Sequence, residues 1–168
     1  MKVSSSGIVN GMIGDEYGAK GTEFNELDMP LYSLPLKIED VPLGTVSFAI
    51  VLEDKDAVPV CGFSWIHWLV ANLTRNELLG GESQIATDFI QGANSWISIQ
   101  GDNQSIEASS YYGGMAPPNE PHLYEIHVYA LDTMLDLKSG FYMNELYKAM
   151  DGHILESVTI KGEYPNKI

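Results

Sequence analysis

The sequence predicts a mainly β protein, on three observations. Its apolar residues fall in short runs separated by Gly, Pro, Asn and Asp, the punctuation of strands and turns. One ten-residue stretch, His122 to Leu131, alternates apolar and polar side chains as a half-buried strand does. No period of about 20–50 residues recurs, which sets aside a solenoid. At 168 residues, 45% apolar and 19% charged, the chain suits one folded domain over residues 1–168.

The elements follow in order. Met1 to Gly7 lacks the apolar stretch of a secretory signal, and no run reaches the about 20 residues of a membrane helix. The glycosylation-type triplets at Asn72 and Asn103 are therefore read as chance. Ser47 to Leu52 is wholly apolar after its serine. It lies between the turn Pro42-Leu43-Gly44 and the polar Glu53-Asp54-Lys55-Asp56, so it reads as a strand buried on both faces. Trp65 to Asn72 is a second strand, rich in aromatic and β-branched residues. Glu77 to Ile90 is read as a short helix. Gly92 to Pro118, with four glycines and few aliphatics, reads as a long surface loop of the kind that carries function. In the strand His122 to Leu131, Tyr124, Ile126, Val128 and Ala130 share one side, and Glu125 and His127 the other. Glu145 to Met150 puts Leu146, Ala149 and Met150 on one helical face, with Ser139 or Asn144 as cap and Gly152 as stop. Val158, Ile160 and Gly162 alternate with Thr159 and Lys161 in a last strand.

Charge narrows the function. The chain has 23 acidic residues against 9 Lys plus Arg, a formal charge of −14. Such a field repels nucleic-acid backbones and anionic membrane surfaces. An anion that binds must find a donor-rich pocket inside a negative shell. Cys61 is the single cysteine, so no intrachain disulfide forms. Its sequence neighbours offer no cation, and the thiol is expected to be inert. A cytoplasmic location and no cofactor are the expectations that go with this.

Four local features bear on chemistry. Asp54 and Asp56 are two apart, the spacing that puts both carboxylates on one face of a strand. A solvated turn is the commoner use of such residues. Trp65 and His67 share the same spacing, although a histidine in a strand of this kind is more often a hydrogen-bonded core residue. His122 and Tyr124 form a second imidazole–aromatic pair. Gly113-Gly114-Met115-Ala116-Pro117-Pro118 lets backbone approach a ligand and then stiffens. No compact metal-ligand spacing, nucleophile elbow, phosphate loop or dinucleotide fingerprint accompanies them. The residues alone lead to a β domain with an Asp/His/Tyr/Trp pocket, no catalytic or metal-ligating residue, and no reaction.

Taken together these segments resemble the phosphatidylethanolamine-binding protein family, in its Raf-kinase-inhibitor-like bacterial and archaeal branch. Ser33-Leu34-Pro35-Leu36, Val41-Pro42-Leu43-Gly44-Thr45, Asp54-Lys55-Asp56-Ala57, Trp65-Ile66-His67-Trp68, Asn94-Ser95-Trp96, Tyr112-Gly113-Gly114, His122-Leu123-Tyr124 and Ala149 to Leu155 carry it, in order and nearly end to end. The resemblance implies a large antiparallel sheet packed on a smaller one, with one or two short helices including a C-terminal one. It also implies a surface pocket for phosphate-like anions, lined by Asp54, Asp56, Trp65, His67, Gly114, Pro118, His122 and Tyr124. Lys55, Leu123 and Met115-Ala116 depart from the family's usual Pro, Arg and Pro-Cys. Ile97 to Tyr111 matches poorly.

The expected function is a small soluble binding or regulatory protein for a small anionic ligand, a lipid headgroup or a phosphorylated protein segment. Inhibition of a kinase or protease is implied by relatives, and homodimerisation is left open. The alternative is a hydrolase using the Asp/His pocket with a metal or an activated water. If imidazole charge holds the anion, affinity rises as pH falls through about 6.5.

Overall fold

The computed structural model describes residues 1–167. Its strands and helices run β1 (Lys2–Ser4), β2 (Ile8–Val9), β3 (Met12–Ile13), β4 (Leu36–Glu39), β5 (Ser47–Asp54), α1 (Val58–Cys61), β6 (Trp65–Leu73), β7 (Glu77–Leu78), β8 (Ile90–Gln91), α2 (Ile106–Ser109), β9 (His122–Leu131), α3 (Met143–Met150) and β10 (Ile154–Tyr164). A seven-stranded sheet has the order β2-β3-β10-β9-β5-β6-β8, and a three-stranded sheet the order β1-β4-β7. Among the strands named, every pairing is antiparallel but one: β3 lies parallel to β10 through Glu163 and Met12. No helix among the described residues is long and apolar enough to cross a membrane.

The all-apolar run at β5 is explained by two separate cores. Phe48, Ile50 and Leu52 point to the inner face with Trp68, Val70, Ile126 and Val128, against Val3, Leu36, Ile38 and Leu78 of the small sheet. Ala49 and Val51 point outward with Leu69 and Ala71, and there Leu146 and Met150 of α3 cover them. A strand covered on both sides cannot alternate with polar residues without burying them unpaired. β9 lacks helix cover along much of its length, so it keeps the apolar-in, polar-out alternation.

Several expectations are corrected. Glu77 to Ile90 is not a helix. Leu78 pairs with Leu36 in β7, and Gly80-Gly81 turns the chain beneath Tyr32, with Gly81 at φ +80°. Gly92 to Pro118 is irregular but not superficial. It contains α2, and Asn94, Gln104, Tyr112 and Met115 are buried within it. Neither Ser139 nor Asn144 caps α3: the helix begins after Tyr142, whose N–H donates to the Glu145 carboxylate at 3.0 Å. Gly152 does stop it, at φ +80°. The last strand is longer than its alternation showed, because β10 extends alongside nearly the whole of β9.

Candidate functional site

The site is built where β5, β6 and β9 end together. Asp54 is the last residue of β5, and it lies opposite Trp65 of β6 on one side and Tyr124 of β9 on the other. This row is a direct result of strand register. His67 needs a further device. Leu52 pairs with Trp68 and Glu53 with Ile66, so His67 is an extra residue in β6, a β-bulge. The bulge lets consecutive residues reach the inner side: Trp68 enters the core and His67 enters the cavity.

The bulged backbone is held by the irregular segment. Ile66 N–H donates to Ser95 Oγ at 2.8 Å. Gly113 N–H donates to the His67 carbonyl at 2.8 Å, and His67 Nδ1–H donates back to the Gly113 carbonyl at 2.6 Å. This two-way clamp fixes the ring's tautomer, since a carbonyl oxygen can only accept. Gly113 must be glycine here: a Cβ would lie 2.6 Å from the Trp96 ring.

The cavity, about 330 Å³, is lined by Asp54, Trp65, His67, His122 and Tyr124, with Trp96 and Pro117 among the residues closing it and Pro118 at its exposed rim. Aromatic rings pack its wall. The Trp65–Trp96 centroids are 5.1 Å apart, edge to face, and His67 stands 5.1 Å from Tyr124 and 5.4 Å from Trp96. His122 donates Nδ1–H to Asp54 Oδ2 at 2.7 Å, while its Nε2 lies 2.9 Å from the side chain of Asn119. His67, Asp54 and Tyr124 are 2%, 3% and 0% exposed. Burial drives the His67 pKa below its ordinary value, against the upward pull of Asp54. Burial, then the Asp54 charge, drives the Tyr124 phenol far above its own. At neutral pH the first is an uncharged ring and the second a hydroxyl.

Four polar atoms on these lining side chains make no well-formed hydrogen bond among the described residues, Asp54 Oδ1, His67 Nε2, Tyr124 Oη and Trp65 Nε1, and of these the Tyr124 hydroxyl faces the Asp54 carboxylate. Leaving a buried group unpaired costs about 1–3 kcal/mol each, which folded proteins seldom tolerate without use.

Two expected residues are elsewhere. Asp56 is exposed in the turn after β5, and its carboxylate accepts from Leu123 N–H at 2.9 Å, stapling the turn to β9. Two-residue spacing failed because the strand ends at Asp54. Gly114 lies behind the wall, its N–H donating to the Pro30 carbonyl. Lys55 does not sit against the cavity's carboxylate. It pairs with Glu125 at 2.8 Å, on the opposite face of β9 from Tyr124. Trp96, Pro117 and the short helix carrying Val60 and half-buried Cys61 also line the cavity and were not among the residues expected to line it. Trp96 was within reach of sequence reasoning, as an isolated aromatic in a stretch otherwise polar and glycine-rich. The expected pH midpoint of about 6.5 also moves, since a buried His67 titrates below the usual range.

Comparison with known proteins agrees with this architecture. The family described as phosphatidylethanolamine-binding protein matches residues 3–165. The uncharacterized protein YxkA of Bacillus subtilis is 39% identical over 156 residues, covering 90% of this chain and 93% of its own. The UPF0098 protein PH1269 of Pyrococcus horikoshii is 34% identical over 173 residues, 99% of this chain and 77% of its own. Among solved structures, the phosphatidylethanolamine-binding protein homologue CT736 of Chlamydia trachomatis has a TM-score of 0.78 at 28% identity, covering 98% of this chain and 96% of that one. Escherichia coli YbcL has a TM-score of 0.75 at 24% identity, covering 98% and 97%, a likeness of fold. With the family matching from residue 3 to residue 165 and a relative 39% identical over 90% of its length, this chain belongs to the phosphatidylethanolamine-binding protein family.

Proposed function

We propose that this chain is a binding protein whose cavity takes a phosphoryl group, carried by a small molecule or by a phosphorylated segment of a partner. The observation that supports this most is that four buried polar atoms without a well-formed hydrogen bond belong to side chains lining one cavity of about 330 Å³, a volume that suits a phosphoryl group and a small attachment. Tyr124 Oη–H and Trp65 Nε1–H are donors for phosphoryl oxygens. The apolar wall from Trp96 and Pro117 lowers the local dielectric and strengthens such bonds.

The test is calorimetric titration with inorganic phosphate and phenyl phosphate at mildly acidic pH. His67→Ala removes one hydrogen bond to a charged group, so affinity falls by about 10-fold or more. Thr74→Ala, exposed at the far end of β6, leaves it unchanged. Equal effects of the two variants, or no heat from either ligand, defeat the proposal. Release of phenol at a rate abolished by His67→Ala replaces binding with the hydrolase alternative.

A further inference from the structure

The cavity changes character between its deep end and its mouth. Asp54, His67, His122 and Tyr124 are between 0% and 3% exposed, and with the buried Trp65 Nε1 they make the deep end polar. The rest of the wall is apolar. Ala57 stands just before α1 and Val60 and Cys61 stand on it, while Trp96, Ala116 and Pro117 come from the irregular segment before β9. Val60 is 46% exposed, so the apolar part reaches the mouth. What polar groups this wall carries are already in use. The Cys61 thiol lies 3.4 Å from the Ala57 carbonyl and 3.3 Å from the Phe63 carbonyl, so its hydrogen is spent on them and the side chain packs by its sulfur surface. Pro117 has no N–H, and its carbonyl accepts from Lys167 N–H at 2.9 Å. Away from the deep end, exposed Gln100 is the one polar side chain with free hydrogen-bonding groups among the described residues of the lining.

A phosphoryl group held at the polar end leaves its ester bond facing this wall, and the first carbons of the ester lie beside Val60, Cys61, Trp96 and Pro117. A hydrocarbon stem in that place leaves water for apolar contacts and gains by it. A hydroxyl in the same place gives up its water for a wall whose own polar groups are engaged, and burying it unpaired is costly. From this change in polarity along the cavity we infer that the site selects phosphate esters with a hydrocarbon stem, simple alkyl phosphates, over polyol and sugar phosphates of the same charge. The selection acts on the stem alone. It does not depend on the protonation of the phosphoryl group, nor on how the buried donors and acceptors share its oxygens.

This inference rests on the phosphoryl reading of the site, and the experiment separates the two. Methyl, ethyl and propyl phosphate, 2-hydroxyethyl phosphate and glycerol 3-phosphate are titrated calorimetrically into the wild-type protein at one pH. Affinity rises about two- to fourfold per methylene from methyl to propyl phosphate, fourfold being the ratio that about 0.8 kcal/mol per buried CH₂ corresponds to. 2-Hydroxyethyl phosphate differs from propyl phosphate by a hydroxyl in place of a methyl, and binds about tenfold more weakly; glycerol 3-phosphate is weaker than propyl phosphate by at least as much. Val60→Asn brings an amide to the stem at a half-exposed position, and the ratio between propyl and 2-hydroxyethyl phosphate falls to about threefold or less. An unchanged ratio in the folded variant overturns the assignment of the stem to this wall. Equal affinities for propyl and 2-hydroxyethyl phosphate, with no rise from methyl to propyl, overturn the inference while leaving a phosphoryl site. No binding of any ester overturns both. The wild-type series decides the matter even if Val60→Asn does not fold.

Discussion

Replacing Tyr124 by phenylalanine separates a binding site from an ordinary buried tyrosine, because the two readings predict changes of opposite sign. The side chain is fully buried, and its ring packs edge to face on His67 at 5.1 Å, a contact that phenylalanine keeps. Its hydroxyl faces the Asp54 carboxylate but makes no well-formed hydrogen bond among the described residues. A buried hydroxyl that a protein atom satisfies contributes about 1 kcal/mol, and its loss destabilises. An unsatisfied one costs about 1–3 kcal/mol, so its removal stabilises the unliganded protein. Taking the low end of that range, because solvent entering the cavity offsets part of the cost, Tyr124→Phe raises stability by about 1 kcal/mol, or about 2–4 °C in Tm for a chain this long. The same variant loses a hydrogen bond to a charged ligand worth about 1.5–3 kcal/mol, so phosphate affinity falls about 10–150-fold. Thermal unfolding in phosphate-free buffer and calorimetric titration read the two effects on one preparation. A lower Tm with unchanged affinity refutes the reasoning, since it makes the hydroxyl a structural group.

Three further outcomes follow from particular contacts. Gly113→Ala forces a Cβ to within 2.6 Å of Trp96 and breaks the His67 clamp; stability drops by about 1–3 kcal/mol and phosphate affinity with it, measured by urea unfolding and titration. Leu146→Ala empties part of the outer core between α3 and β5, costing about 2–5 kcal/mol by the same unfolding assay while leaving ligand affinity intact in the folded fraction. The Glu53 carboxyl is held below its ordinary value chiefly by its hydrogen bond to His127, and also by Ser64. A depressed folded-state pKa stabilises above the unfolded value of about 4.3 and is lost as pH falls below it. Acid unfolding of Glu53→Gln is accordingly less steep between about pH 5 and 3, and a profile identical to wild type contradicts the role given to that bond.

Legibility in the sequence followed the range of the interactions. The strands at Ser47, Trp65 and His122 could be read because burial on one or two faces leaves a pattern within a few residues. The Glu77 to Ile90 segment misled because its apolar residues share no one face: Leu78 and Phe89 join the inner core, Ile90 packs on the outer one, and Leu79 and Ile85 are exposed. The Gly80-Gly81 turn against Tyr32 is set by a distant residue. Within the site, Asp54, His67, His122 and Tyr124 stood out as polar groups at the ends of apolar strands. Asp56 and Gly114 had the right residue types nearby but the wrong direction.

Composition and local periodicity by themselves determined a β protein, a strongly negative surface and most of the polar residues that gather at the strand ends. The tertiary structure alone decided which of them share a cavity. One extra residue in β6 turns His67 inward, and a glycine some forty-six positions away fixes its proton on Nδ1. Hydrogen bonds between residues so far apart leave no periodic trace in a sequence, because the chain between them can vary without changing their geometry. The direction in which each polar atom points, and so whether the cavity offers donors or acceptors, is therefore a property of the folded molecule.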